Sequence, residues 1–236
     1  KLFYNNGFYE KALYYAEKTI SNNIEEYRFT SKIDRYIENC QFAIKAIKTP
    51  IDFDSKNIGK LVNSPMTEYV NAITIDAKKI LFTRRMESNQ NRDQEDLFVF
   101  DIPSNIVSPL PFNTLQNEGA ITVSADGTMY VYTACDRVNS IGGCDLYIRQ
   151  YSNENGWSKE YNLGENVNSN KWESQACFSP DERYLYFISN RPGGFGKEDI
   201  WRSEITKEGF MPAENLGSRI NTNQIEMSPF LHPDNL

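Results

Sequence analysis

The sequence predicts a mainly β fold, a series of β-propeller blades preceded by a short helical segment. Three observations predict it. Acidic residues recur with a period of about fifty residues along most of the chain. Strand-like runs of about four to eight residues, separated by Gly, Pro, Asn and Asp, fill each period. The first part of the chain instead carries apolar side chains at helical spacing.

Residues 1–50 are read as helical. Phe8, Ala12, Tyr15, Ala16 and Ile20 fall on one helical face. Ile33, Ile37, Cys40, Phe42, Ala43, Ile44 and Ile47 mark a second amphipathic run, which stops before Thr49-Pro50 because proline ends a helix. Two such helices cannot bury their apolar faces alone, so they are expected to stack on further structure.

Residues 51–236 are read as propeller, with the clearest strands at 81–83, 97–100, 129–132, 145–148 and 184–188. The repeat inside this segment is explicit. Glu68, Glu118, Glu173 and Glu226 stand 50, 55 and 53 residues apart, and each is followed eight residues later by Asp76, Asp126, Asp181 or Asp234. An aromatic follows six residues after the first three aspartates, at Phe82, Tyr132 and Phe187. A further acidic residue opens a later strand of each unit, at Asp96, Asp145 and Asp199. Two units end alike, at Asn162-Leu163-Gly164 and Asn215-Leu216-Gly217.

A unit of this length holds one small twisted sheet of four strands, which is the size of a propeller blade. Asp126-Gly127 and Pro180-Asp181-Glu182 are tight-turn chemistry between the first two strands. The repeated Asp and Glu are therefore read as structural acceptors at turns rather than as ligands. Three units are complete and a fourth begins, so the native polypeptide is expected to continue past Leu236. The chain also opens at Lys1 with no initiator Met, and an upstream start is expected.

Charge and composition exclude several functions. The formal charge of −7 repels a phosphate backbone, so no nucleic acid is expected as partner. No apolar run is long enough to span a membrane. The four cysteines form no CxxC pair and His232 is the sole histidine, so no metal, cofactor or catalytic residue is assigned. A hydrolase would need a nucleophile elbow or converging carboxylates, and neither is visible. Pro192-Gly193-Gly194-Phe195-Gly196 lacks the Lys-Ser/Thr of a phosphate loop and is read as a connection between strands.

The run 178–194, Phe-Ser-Pro-Asp-Glu-Arg-Tyr-Leu-Tyr-Phe-Ile-Ser-Asn-Arg-Pro-Gly-Gly, with Glu198-Asp199-Ile200-Trp201 after it, resembles the WD40-like PD40 repeat of TolB-type propellers. Cys40-Gln41-Phe42-Ala43, Pro50, Asn57-Ile58-Gly59, Val62-Asn63-Ser64, Glu68-Tyr69 and Leu81-Phe82-Thr83-Arg84-Arg85 resemble the junction in PorE-like envelope proteins of Bacteroidota, which join tetratricopeptide helices to a PD40 propeller. Gly7, Tyr9 and Ala12 are similar to the second helix of a tetratricopeptide unit. Ile75-Asp76-Ala77 departs from the pattern, lacking its Ser-Pro or Gly.

The resemblance implies a six-bladed propeller and a non-catalytic periplasmic scaffold associated with the outer membrane. It implies type IX secretion or gliding components as partners, including an outer-membrane barrel of PorP/SprF type. It also implies peptidoglycan as a partner, reached through an OmpA-like domain outside this chain. A TolB-like peptide-binding adaptor is the alternative, and a propeller-bearing hydrolase a third.

Individual residues complete the reading. Cys135 and Cys144 flank a hairpin and are expected to form a disulfide, which suits an oxidising compartment. Cys40 and Cys177 read as small buried hydrophobes. Arg84, Arg85 and Arg191 sit at the ends of second strands. They either line one face of the propeller as interface residues or pair with neighbouring acids. Trp157 is either packing or an anchor, Trp201 is expected in the core, and Trp172, in an Asn-rich connection, is the better interface candidate.

Overall fold

The computed structural model describes residues 2–21, 27–51, 54–86 and 94–232. It divides into two compact units, Lys1–Lys56 and Asn57–Leu236.

The first unit is helical: α1 (Leu2–Asn5), α2 (Tyr9–Ser21) and α3 (Tyr27–Lys48). Aromatic rings hold the three together. Phe3 of α1 stacks on Tyr15 of α2, and Tyr4 meets Tyr9 and Tyr36 edge-on. Cys40 is buried, whereas Phe8, Phe42 and Ile47 remain exposed.

The second unit is mainly β and consists of three antiparallel sheets, one per sequence repeat. The first contains β1 (Thr67–Ile73), β2 (Lys79–Met86), β3 (Gln94–Asp101) and β4 (Ile106–Pro109). The second contains β5 (Glu118–Val123), β6 (Met129–Cys135), β7 (Cys144–Ser152), β8 (Gly156–Trp157) and β9 (Tyr161–Asn162). The third contains β10 (Glu173–Phe178), β11 (Tyr184–Ser189), β12 (Asp199–Thr206), β13 (Gly209–Phe210) and β14 (Glu214–Asn215). Strands follow one another across each sheet in chain order. In the second and third sheets the outer edge is split into two short strands that both pair with the third strand. These are successive blades of a propeller, and the chain holds part of one.

Period-two alternation explains why the sheets stack. In β6, Tyr130, Tyr132 and Ala134 enter the core shared with the first sheet, while Val131 enters the core shared with the third. In β2, Leu81 faces the second sheet, while Ile80 and Phe82 pack with Val62, Phe98 and Phe100 on the other face. Middle strands are thus apolar on both sides, unlike a sheet with one wet face. Tyr132, Tyr147, Phe82 and Phe187 are the largest fully buried side chains, each stabilising by about 1.5–3 kcal/mol on burial.

The hairpin turns are equivalent from sheet to sheet. Backbone bonds join Thr74 N to Lys79 O, Ser124 N to Met129 O and Ser179 N to Tyr184 O. A left-handed residue sits at the same place in each: Ala77 (φ 53°), Gly127 (φ 74°) and Glu182 (φ 57°). The first strand of each unit also bends at a bulge. Ala120 (φ 51°) and Gln175 (φ 51°) are left-handed there, and Ser228 (φ 54°) repeats the conformation in the segment after β14.

Candidate functional site

The repeated acids have two distinct structural jobs. Each turn aspartate accepts from the hydroxyl two residues before it and the amide two residues after it. Thr74 and Lys78 serve Asp76, Ser124 and Thr128 serve Asp126, and Ser179 and Arg183 serve Asp181. These donors hold the Asp76 and Asp181 carboxyls below the ordinary aspartate range. At Asp126 burial pushes the carboxyl up, but the hydrogen bonds outweigh it and the result is again a lowered value. Asp234 lies outside the described residues.

Each repeated glutamate accepts from a hydroxyl four residues upstream: Ser64 to Glu68, Thr114 to Glu118, Ser169 to Glu173 and Thr222 to Glu226. Three of them also hold an arginine. Arg84 Nε lies 2.8 Å from Glu68 Oε1, Arg137 Nη2 2.5 Å from Glu118 Oε1, and Arg191 Nη2 3.1 Å from Glu173 Oε1. Of the two readings, Arg84 and Arg191 show the pairing with acids. Their guanidinium groups are largely buried, pair with carboxylates, and rest over the rings of Phe82 and Phe98, and of Phe187 and Trp201. Arg85 is exposed on β2 opposite Glu95.

Asp145 and Asp199 close the loops before the third strands. Asp145 accepts from the amides of Ile141 and Gly142 and from Asn162 Nδ2. Asp199 accepts from Phe195, Gly196 and Asn215 in the same way. These loops press on the entry to the next unit. A Cβ on Gly142 would lie 2.1 Å from the Lys171 carbonyl, and one on Gly196 2.2 Å from the Gln224 carbonyl, so no side chain fits. Asp96 differs. It accepts from Gln94 Nε2, and burial raises its carboxyl above the ordinary range.

Two further repeated signals in the sequence have structural roles. The hydroxyl residues recur four positions before every repeated glutamate. The pattern Asn-x-Gly followed four residues later by Asn occurs at Asn57, Asn162 and Asn215. In the last two copies the second asparagine, Asn168 or Asn221, bonds both backbone groups of Leu146 or Ile200 and so ties each unit to the one before.

Cys135 and Cys144 are direct cross-strand partners with Cα atoms 4.0 Å apart, and their sulfurs are bonded. Cys40 and Cys177 are free, the first buried and the second half-buried. Trp201 is buried between strands, and Trp157 packs edge-on against Phe112 and Tyr130.

Trp172 is half-buried and forms an isolated bridge with Cys144. It borders a cleft of about 250 Å³ where the first strands of all three sheets converge. Tyr69 and Glu95 come from the first sheet, Asn117, Gly119 and Thr133 from the second, and Trp172, Ser174 and Gln175 from the third. Tyr69 donates its phenol proton to Glu95 Oε2 at 2.9 Å. Burial, and after it the Glu95 charge, push that phenol well above the ordinary tyrosine range, so it stays a donor. Gly119 lets the two approach: a Cβ there would stand 3.0 Å from Tyr69 Oη and 3.1 Å from Glu95 Oε2. Thr133 donates to Ser174 across the sheets at 2.9 Å. The lining is amide, hydroxyl, phenol, indole and one carboxylate, with Ala120 and the bridged Cys135 beside them, an array suited to hydrogen-bonding a polar backbone beside an aromatic anchor.

No protein-family model and no curated protein matches the sequence. Solved structures do resemble it. A TolB-type protein of Agrobacterium tumefaciens is 18% identical with a TM-score of 0.42, over 59% of this chain and 43% of that one. The β-propeller domain of the Trilobed protease from Pyrococcus furiosus is 10% identical with a TM-score of 0.42, over 64% of this chain and 43% of that one. A thermostable family-43 glycoside hydrolase is 15% identical with a TM-score of 0.40, over 63% of this chain and 53% of that one. The chain thus spans well under two thirds of the length of each.

Proposed function

We propose that the chain is a non-catalytic binding module whose inner-strand cleft receives an extended segment of a protein partner. The observation that carries this reading is the lining of the cleft. Its hydroxyls are bonded to one another, and its carboxylate is held by a phenol that stays protonated. No nucleophile stands beside a base there among the described residues, whereas the side-chain amides of Asn117 and Gln175 line it together with Trp172, their oxygens already accepting from Glu95 N and Ser228 N. A peptide backbone needs such partners, because its own polar groups must be satisfied once water is removed.

The test is a peptide-library selection against the chain and against Gly119→Val, which fills the cleft and separates Tyr69 from Glu95. Peptides enriched on the native chain should lose at least tenfold in affinity on the variant. Equal enrichment on both, or turnover of peptide or glycan bonds by the native chain, would sink the reading.

The cellular setting we propose is the periplasmic side of the outer membrane, as a scaffold in type IX secretion or gliding. An outer-membrane barrel of PorP/SprF type is the proposed partner, with peptidoglycan reached through a domain outside this chain. The sequence likeness to PorE-like proteins supports it, and the Cys135–Cys144 disulfide suits an oxidising compartment. Affinity capture from native envelopes, with the captured proteins identified, checks it. A TolB-like adaptor for a disordered peptide is the second reading, and the cleft favours it.

A further inference from the structure

Glu95 carries the only formal charge among the described residues that line the cleft. Asn117, Thr133, Ser174 and Gln175 are neutral, Tyr69 stays protonated, and Cys135 is held in its disulfide. The carboxylate is half-buried, and the one hydrogen bond it takes from a described residue is the Tyr69 phenol on Oε2. The charge stands at one end. Glu95 faces Arg85 across β2 and β3, in the register position where the second sheet pairs Cys135 with Cys144. Arg85 lies outside the lining. The cleft therefore runs from a carboxylate on the first sheet to the uncharged disulfide and Trp172 on the far side.

The repeated glutamates Glu68, Glu118 and Glu173 each hold an arginine of this chain. Glu95 is held only by a neutral phenol. A carboxylate has about four acceptor sites, and one donor fills one of them. A segment that occupies the cleft takes the remaining sites out of water. A desolvated carboxylate without a counter-charge is strongly unfavourable, so an occupant that brings no cation is penalised at this end.

We infer that the cleft selects a basic segment, whose arginine or lysine side chain sits on Glu95 while its backbone continues toward Trp172. This rests on the peptide-binding reading of the cleft. The cation supplies the donors and the counter-charge that Tyr69 does not. It also fixes which way the segment lies, because the end at Trp172 offers no carboxylate. Arginine fits better than lysine, since its planar fork can engage Oε1 while the phenol keeps Oε2. An acidic segment meets like-charge repulsion at the same place.

The probe is a library of acetylated and amidated hexapeptides, with one position fixed as arginine, lysine, citrulline or glutamate, selected on the 236-residue chain. The caps remove the terminal charges. The arginine and lysine pools should be enriched over citrulline, and the glutamate pool excluded. A selected arginine peptide, followed by fluorescence anisotropy, should bind about tenfold more tightly than its citrulline counterpart, which keeps the shape and loses the charge. On Glu95→Gln, in a chain of unaltered circular dichroism, that ratio should fall below about twofold. Acetyl-arginine amide alone should not displace the peptide at equal concentration. Peptides that bind and that Gly119→Val weakens, but that show no preference for arginine or keep it on Glu95→Gln, overturn the inference and leave the cleft reading standing. Displacement by acetyl-arginine amide overturns it too, since the occupant is then a small cation. Absence of any bound peptide defeats both.

Discussion

Arg191 reaches back from beyond β11 to Glu173 at the head of β10, 3.1 Å between Nη2 and Oε1, with the carboxylate side chain 0% and the arginine 12% exposed. Burial pulls the guanidinium below its ordinary range even though the Glu173 charge opposes it, so desolvation is not fully offset. Such a pair adds little net stability, but removing one member strands the other. Arg191→Ala should therefore cost about 3 kcal/mol in denaturant unfolding, and Arg191→Lys less. Arg202–Glu214 is the control. It is closer, at 2.5 Å, but its side chains are 34% and 59% exposed, and Arg202→Ala should cost under about 0.5 kcal/mol. Equal losses at the two arginines would refute the distinction.

The turn residue Ala77 gives a prediction of opposite sign. It holds φ at 53°, where Gly127 stands in the second sheet, and its surroundings are open to solvent. A left-handed alanine is strained by roughly 1–2 kcal/mol, part of which glycine returns as chain entropy in the unfolded state. Ala77→Gly should raise stability by about 0.5–1 kcal/mol. Glu182 occupies the same place, but its Oε1 accepts from the Asp126 amide at 2.9 Å, linking two turns. Glu182→Gly should gain less than Ala77→Gly. A thermal melt of each variant decides it.

The repeat was legible in the sequence because each turn is local. Aspartate, the hydroxyl before it and the amide after it lie within five residues, so spacing carries the whole motif. The arginines were legible only in part: pairing with acids was one reading of Arg84 and Arg191, but Arg84, Arg137 and Arg191 lie 16, 19 and 18 residues past their glutamates, and only the structure shows that they converge on like places. Arg137 went unnoticed for that reason. The cleft was hidden for another. Tyr69, Glu95, Thr133, Trp172 and Gln175 come from three sheets, and the bulges at Ala120 and Gln175 set which side chains turn toward one another. A bulge one residue away would point the opposite set inward.

Acid should weaken the second unit through its turns. Asp76, Asp126, Asp181 and Glu68 all have folded carboxyls below their ordinary values. A depressed carboxyl contributes stability that is fully present above its unfolded value, about 3.9 for Asp and 4.3 for Glu, and is lost as pH falls through the lower folded value. Asp96 has the opposite sign, since burial raises it and protonation in acid relieves the fold. The net expectation is a urea midpoint that is flat near neutrality and falls below about pH 4. In Asp126→Asn the limb should be shallower and in Asp96→Asn steeper. An unchanged limb in both would rule out these carboxyls as its source.

The disulfide closes a short loop between two half-buried cysteines. Cys135 and Cys144 are nine residues apart and stand opposite each other at the end of β6 and the start of β7, beside Trp172. A loop this short restricts the unfolded chain modestly, so Cys135→Ser with Cys144→Ser should cost about 2–3 kcal/mol. The strand pairing around it is complete without the bridge, from Met129↔Gln150 to Ala134↔Asp145, so the double variant should keep its native circular dichroism. The other two cysteines report on the same experiment. Burial raises both the Cys40 and Cys177 thiols, which slows their alkylation. Non-reducing peptide mapping of native protein should return a linked 135–144 pair and unmodified Cys40 and Cys177, with alkylation appearing only as denaturant opens the chain. Rapid labelling of Cys135 in unreduced native protein would contradict the bridge.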